Sequence, residues 1–262
     1  IVEGTVKLTR EGEEDWIYGS ESVVGILDAN LNRPYSRTAT VTEDAHVLVI
    51  ELEDYYDIME DNFEFFRTVI IDVFGMVQRL SSRLPKDEVF PPLREHGQQP
   101  WLSVRRLNEV QRLMVIRAAE FAQGAPVQPL VGLAQAAVER RVSRDKVFLR
   151  KGDPLTHLWV VAEGLFEISS PSSAVEAAFG SGQVLLGSAS IAFPDARYDV
   201  VALRQSLVVG IPFEALWDMM EDHFRLARRL FAWVAHEHER VRGRLTQLQG
   251  ATKDLSKSMR DP

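Results

Sequence analysis

The chain repeats itself at a spacing of about 160 residues. Val2-Glu3-Gly4 returns as Ala162-Glu163-Gly164, and Asp57-Ile58-Met59-Glu60-Asp61-Asn62-Phe63 returns as Asp218-Met219-Met220-Glu221-Asp222-His223-Phe224. The offset is 160 at the first pair and 161 at the second. A spacing held between two anchors this far apart marks a tandem duplication, so the architecture is that of one unit used twice. At 262 residues, each unit is long enough to bury a core.

Each unit reads as short strands followed by a long helix. In the first, the β-like runs are Thr5–Leu8, Trp16–Tyr18, Thr38–Val41 and His46–Leu52. In the second they are Leu158–Val161, Leu165–Ile168, Asp199–Leu203 and Leu207–Ile211. Gly, Pro, Asn, Asp and Ser punctuate them at the spacing of a small antiparallel barrel or jelly roll. The period then changes. Phe63, Phe66, Ile70, Val73, Val77 and Leu80 step by 3 and 4, as do Phe224, Ala227, Phe231, Val234, His238, Val241, Leu245 and Leu248. Such seams belong to long helices that either lie on their own barrel, with Leu230 and Trp233 beside the seam, or pair with another helix, between the two units or between two chains.

Pro85, Pro91 and Pro92 interrupt the helical pattern, because proline cannot continue a helix. The expected organisation is a first unit over 1–84, a linker over 85–102 and a second unit over 103–262. Helical periodicity resumes from Leu107 and again over Leu130–Arg140, before a strand-turn at Phe148–Pro154. The second unit therefore carries about 55 residues ahead of its Glu-Gly that the first lacks. An unpaired barrel edge is avoided in soluble proteins, so the sequence is expected to begin inside the first unit, with opening strands supplied from elsewhere.

Composition narrows the chemistry. There are no cysteines, which excludes disulfides, thiol catalysis and Cys-ligated metals. A net charge of −8 is unlike the basic footprint of a nucleic-acid binder. No apolar run suits a membrane span, and a cytoplasmic protein is expected. His236-Glu237-His238-Glu239 has the look of a metal site, but helix residues two apart face different ways, so no metal is expected there. No nucleophile elbow, phosphate-binding loop or paired carboxylates appear, and no catalytic residue is assigned.

The order of helices, Phe148-Leu149-Arg150-Lys151-Gly152-Asp153-Pro154, Val161-Ala162-Glu163-Gly164, a Gly-led loop ending in Arg, a last strand and a long helix resembles the cyclic nucleotide-binding domains of catabolite-activator-type regulators and protein kinase A regulatory subunits. The resemblance implies an α+β fold of two jelly rolls with flanking helices and long C-terminal helices. It also implies a cassette for a cyclic phosphate, opened by Gly-Glu and closed by an Arg about ten residues on. Gly25, Arg37 and Thr38 match in the first unit, and Gly187, Ser188 and Arg197 in the second. Both depart from the pattern. Ile26 and Ser188 stand where the ribose-binding Glu belongs, and Tyr198, followed by Asp199, crowds Arg197. Losing that carboxylate removes a charge-assisted hydrogen bond of about 1.5–3 kcal/mol, so tight binding of cyclic AMP or cyclic GMP is not expected. Another anion at Arg37 stays open.

Many relatives carry a helix-turn-helix after the long helix, but the 14 residues beyond Leu248 are too few for one. Leu133–Arg144 has the look of a recognition helix, and its position makes it the lead-in helix of the second barrel. The expected function is that of a non-enzymatic regulatory or scaffold protein. It would have no cofactor, and it would meet a protein partner or a second copy through Phe63, Phe66, Ile70, Val73, Val77, Leu80, Phe231, Val234, His238, Val241 and Leu245. The alternatives are a second-messenger sensor working through the first cassette, and a transcription regulator whose DNA-binding part lies elsewhere.

Overall fold

A computed structural model describes residues 1–31, 33–93, 100–170 and 173–258, with side chains placed outside 169–176 and 249–258. Asn32 of the first cassette, 94–99 of the expected linker and 259–262 of the expected tail lie outside the described residues.

The first unit comprises β1 (Glu3–Thr9), β2 (Trp16–Tyr18), α1 (Ile26–Asn30), β3 (Thr38–His46), α2 (Leu52–Asp61) and α3 (Phe63–Ser81). Its strands form one antiparallel sheet in the order β2-β1-β3. Residues 1–84 thus show a single three-stranded sheet in place of the expected roll. The expected strand His46–Leu52 is likewise corrected: His46 ends β3, Val47–Ile50 is in no strand, and Leu52 begins a helix. A strand exists only where its N–H and C=O groups find a neighbour. Val47, Leu48, Val49 and Ile50 instead stand 52%, 77%, 84% and 55% exposed.

The second unit comprises α4 (Glu109–Ala118), α5 (Val127–Ala136), β4 (Val138–Val142), β5 (Val147–Leu149), β6 (His157–Glu163), β7 (Leu165–Ser170), β8 (Ser173–Gly180), α6 (Ala189–Ala192), β9 (Asp199–Ala202), β10 (Ser206–Pro212), α7 (Phe213–Asp222) and α8 (Phe224–Ser258). Two sheets, β4-β10-β6 and β5-β9-β7-β8, enclose one apolar interior. Val208, Val161 and Val142 face Phe148, Phe166, Ile168 and Phe179 across it. Leu207, Val209 and Ile211 of β10 point the other way, against α4, α5 and α7. Both faces of β10 are covered, which is why its sequence is a continuous apolar run.

Two helical expectations change. The helix expected over Leu130–Arg140 stops at Ala136, because Val138–Val142 completes the edge of β10. Leu133–Arg144 is therefore part helix and part strand, and is no recognition helix. The expected frayed tail from Lys253 continues α8 as far as Ser258. No helix among the described residues is long and apolar enough to cross a membrane.

The repeated segments have matching backbones. Gly4 and Gly164 both take positive φ, 91° and 116°, where a side chain is strained. A Cβ would strike Asp44 O in one unit and Ser206 Oγ in the other. In each DxMEDxF copy one residue breaks the helix in two: Asn62 at φ −126°, ψ 62° and His223 at φ −137°, ψ 73°.

The seams meet within one chain. Helix α3 packs along α8. Phe66 meets Phe224 edge to face at 5.3 Å, and Phe74 meets Trp233 at 5.5 Å. Phe63, Phe66, Ile70, Val77, Phe231, Val234, His238 and Val241 are buried there, while Val73, Leu80 and Leu245 are half-buried. Phe74, off the expected seam, is fully buried. Helix α3 also lies on α6, in the second cassette, and α8 lies on α1, in the first. Each cassette is covered by the other unit's long helix.

Candidate functional site

The first cassette opens into a cavity of about 730 Å³ between the first unit and α8. Gly25 begins α1 in the left-handed region, at φ 90°. Its missing Cβ leaves room for the Tyr35 ring, which such an atom would meet at 2.8 Å. Arg37, just ahead of β3, turns its side chain inward and leaves it only 5% exposed. Trp16 and Tyr18 reach the cavity from β2, and His238, Glu239 and Arg242 from α8.

Trp16 is the centre of this arrangement. The guanidinium carbons of Arg37 and Arg242 lie 3.8 Å and 3.9 Å from its ring centroid. His238 meets the same ring edge to face at 5.8 Å. Arg37 is ion-paired with Glu13 and donates to Glu14 O at 3.0 Å. Arg242 is less well served. Its Nε is buried with no hydrogen-bond partner among the described residues, and so is Trp16 Nε1. Burial, and then the charge of Arg37, lower the pKa of Arg242. Burial first, then Arg242 and Arg37, push His238 down to about 4, so its imidazole is neutral at pH 7.

The remaining charges lining the cavity are engaged. Burial alone would raise Asp28, but hydrogen bonds from Ser36 N at 2.8 Å and Arg33 Nε at 2.7 Å hold its carboxyl below the usual range. Asp28 itself lines the wall. Arg33 bridges on to Glu239 of α8, tying the two units together. The lining holds four guanidiniums (Arg10, Arg33, Arg37, Arg242) and three carboxylates (Glu13, Asp28, Glu239), leaving positive charge in excess. Leu8, Val23, Val24, Ile26, Leu27, Val73 and Met76 supply an apolar wall. Thr38 is exposed at the start of β3. The lining thus combines guanidinium donors with an apolar wall.

The second cassette is built differently. Ser188, 4% exposed, accepts a hydrogen bond from Gln78 Nε2 of α3 at 2.8 Å. Gly187 precedes it at φ 53°. Arg197 is exposed and stacks on Phe193 at 3.8 Å. Asp199 accepts from Lys151 N at 2.7 Å. Phe90 from the linker enters the barrel and meets Tyr198 and Phe179 edge to face, each at 5.6 Å.

The sequence reading brought Gly25 and Arg37 to the cavity but missed Trp16, Arg242 and Phe90. A Trp in a strand that closes on a guanidinium-bearing cassette was the available signal for the first. Arg242, four residues after His238 on the same helix face, was the signal for the second.

Residues 139–223 match the family model described as the cyclic nucleotide-binding domain. By this match and the two-sheet fold, that stretch is one cyclic nucleotide-binding domain. No curated protein matches the chain. Solved structures that resemble it include a cyclic nucleotide-binding domain from Methylobacillus flagellatus, at 15% identity over 55% of this chain and 83% of that one, TM-score 0.43. DNR from Pseudomonas aeruginosa matches at 15% identity over 58% of this chain and 65% of that one, TM-score 0.42. The catabolite activator protein of Thermus thermophilus matches at 18% identity over 53% and 63%, TM-score 0.41. The chain spans less than two thirds of the length of the last two.

Proposed function

We propose that this is a non-enzymatic regulatory protein, two cyclic-nucleotide-binding-like units in one chain, whose first-unit cavity receives a small amphipathic anion. One observation carries the reading: two guanidiniums, Arg37 and Arg242, crowd one Trp16 ring at the wall of a cavity whose lining holds more cations than anions. An anion entering there relieves their mutual repulsion. Excess positive charge favours an anion, and the apolar wall favours a hydrocarbon or aryl body over a sugar.

The test is a thermal-shift titration with octanoate and octyl phosphate beside cyclic AMP and cyclic GMP. A ligand at ~100 times its dissociation constant adds about 2.7 kcal/mol to the form that binds it. The expected result is a rise with the octyl anions that Arg242→Met removes. Equal or greater stabilisation by the cyclic nucleotides, or no shift with any probe, overturns the reading.

A second reading, self-association, is favoured by the exposed run Val47–Ile50. Unpaired apolar strand-like segments seek a neighbouring chain. A second copy of this chain is the occupant that this reading commits to. The long helices are less suited to that role, since Val234 and Val241 are fully buried within one chain. Sedimentation velocity would show a concentration-dependent dimer that Val49→Lys dissolves; a wild-type monomer at all concentrations would remove this reading.

A further inference from the structure

The linker segment Lys86–Pro92 does more than join two units. Phe90 is only 5% exposed, although two prolines follow it and no regular element contains it. Its ring lies in the interior shared by Leu186, Ala189 and Ala196 of the second cassette. Tyr198, which it meets at 5.6 Å, directly follows the cassette arginine. In the first unit the corresponding region is the 730 Å³ cavity; in the second a side chain from outside the barrel stands there.

The backbone around Phe90 is read as well. Arg240 donates to Glu88 O and to Val89 O, each at 3.2 Å. Gln183 Nε2 donates to Pro92 O at 3.1 Å, while its Oε1 accepts from Gly180 N at 3.0 Å. Arg244 grips both carboxylate oxygens of Glu88, one of them at 2.7 Å, and holds that carboxyl below its usual range. Lys86–Glu88 forms a single 3-10 turn that leads from Pro85 toward Phe90. An aromatic anchor in a pocket, carbonyls read by side chains and a bidentate clamp on an acid are together the elements of peptide recognition.

We propose that the pocket of the second unit is a receptor for a short, acidic, aromatic-anchored peptide, and that its resident ligand is this chain's own segment Lys86–Pro92. The proposal concerns the second unit and holds whether or not the first cavity takes an anion. A tethered segment presents itself at about millimolar effective concentration, so free peptides of the same kind are excluded until the tether is released.

The experiment uses the full chain and a fluorescent peptide of the sequence Lys86–Pro92, followed by anisotropy. The Phe90→Ala chain binds the peptide, the wild type binds it at least tenfold more weakly, and a peptide carrying the same Phe90→Ala change binds neither. A Phe90→Ala chain that melts cooperatively yet ignores the peptide, or binds it without regard to the aromatic residue, overturns the proposal. A second variant, Arg244→Gln, leaves the interior untouched. Amide exchange over 86–90 is then expected to quicken at least tenfold, with β6 and β10 unchanged. Unchanged exchange there overturns the proposal by a route that does not need Phe90→Ala to fold.

Discussion

Arg242 lies with its guanidinium 3.9 Å from the centroid of the Trp16 ring, joining the last helix of the chain to its second strand. Arg37 presses on the same ring at 3.8 Å, so two like charges share one aromatic. Cation–π attraction supplies about 0.5–2 kcal/mol per pair, and it is opposed by burial and by mutual repulsion. Burial and the Arg37 charge both disfavour the charged form of Arg242, and its pKa is lowered accordingly. Arg242→Met, which keeps the aliphatic stem, is expected to raise the melting temperature by about 2–4 °C, the shift that roughly 1 kcal/mol gives in a protein this size. Differential scanning calorimetry without added anions checks this, and a lower melting temperature contradicts it.

His238 makes the same region sensitive to acid. Burial holds it at about 4 in the folded protein, while the unfolded chain protonates near 6.5. The unfolded state then binds more protons below pH 6.5. Stability is complete above that value and falls as pH drops toward 4, by about 3 kcal/mol in all. His157, also lowered by burial, contributes in the same window, so the comparison is between wild type and His238→Gln. Asp28 and Glu88, both held low, weaken the fold only in the carboxylate range beneath it. Urea denaturation at pH 7, 5.5 and 4.5 is expected to show a flatter profile for His238→Gln.

The contact between α3 and α8 is a core, with Phe74 fully buried against Trp233. Phe74→Ala is expected to cost about 3–5 kcal/mol in chemical denaturation. Combined with Trp233→Ala, the loss is expected to be sub-additive by about 0.5–1.5 kcal/mol, the part that belongs to the ring pair. Full additivity would mean that the two rings do not share an interface.

Gly4 and Gly164 hold the same strained position in the two units. Gly164→Ala sets a Cβ against Ser206 as well as forcing positive φ, and is expected to destabilise by more than about 2 kcal/mol. Smaller losses would show that the β7 start can shift to accept a methyl group.

Much of the fold was legible because it is local. Trp16–Tyr18, Leu158–Val161 and Leu207–Ile211 alternate or run apolar as strands do, and the seams that begin at Phe63 and Phe224 fall on α3 and α8. Val47–Ile50 has the same composition but no strand beside it, and pairing is a relation that a segment's own residues do not contain. Val138–Val142 was lost to a helical pattern that ends two residues earlier, where β10 claims an edge partner. The cavity divides in the same way. Gly25 and Arg37 fall inside one short loop and could be read together, whereas Trp16 and Arg242 meet only because α8 crosses to the first unit. Phe90 looked like linker because prolines surround it, and its burial is decided by a barrel that begins far downstream.

Helix α8 is a partition between two chambers. Residues two apart on a helix point about 200° apart. His238 and Arg242 therefore form the wall of one chamber, while Arg240 and Arg244, interleaved with them, hold the segment that closes the other. A ligand in the first chamber would therefore have to act on the closing segment of the second through this helix, and any such influence would be equal in both directions.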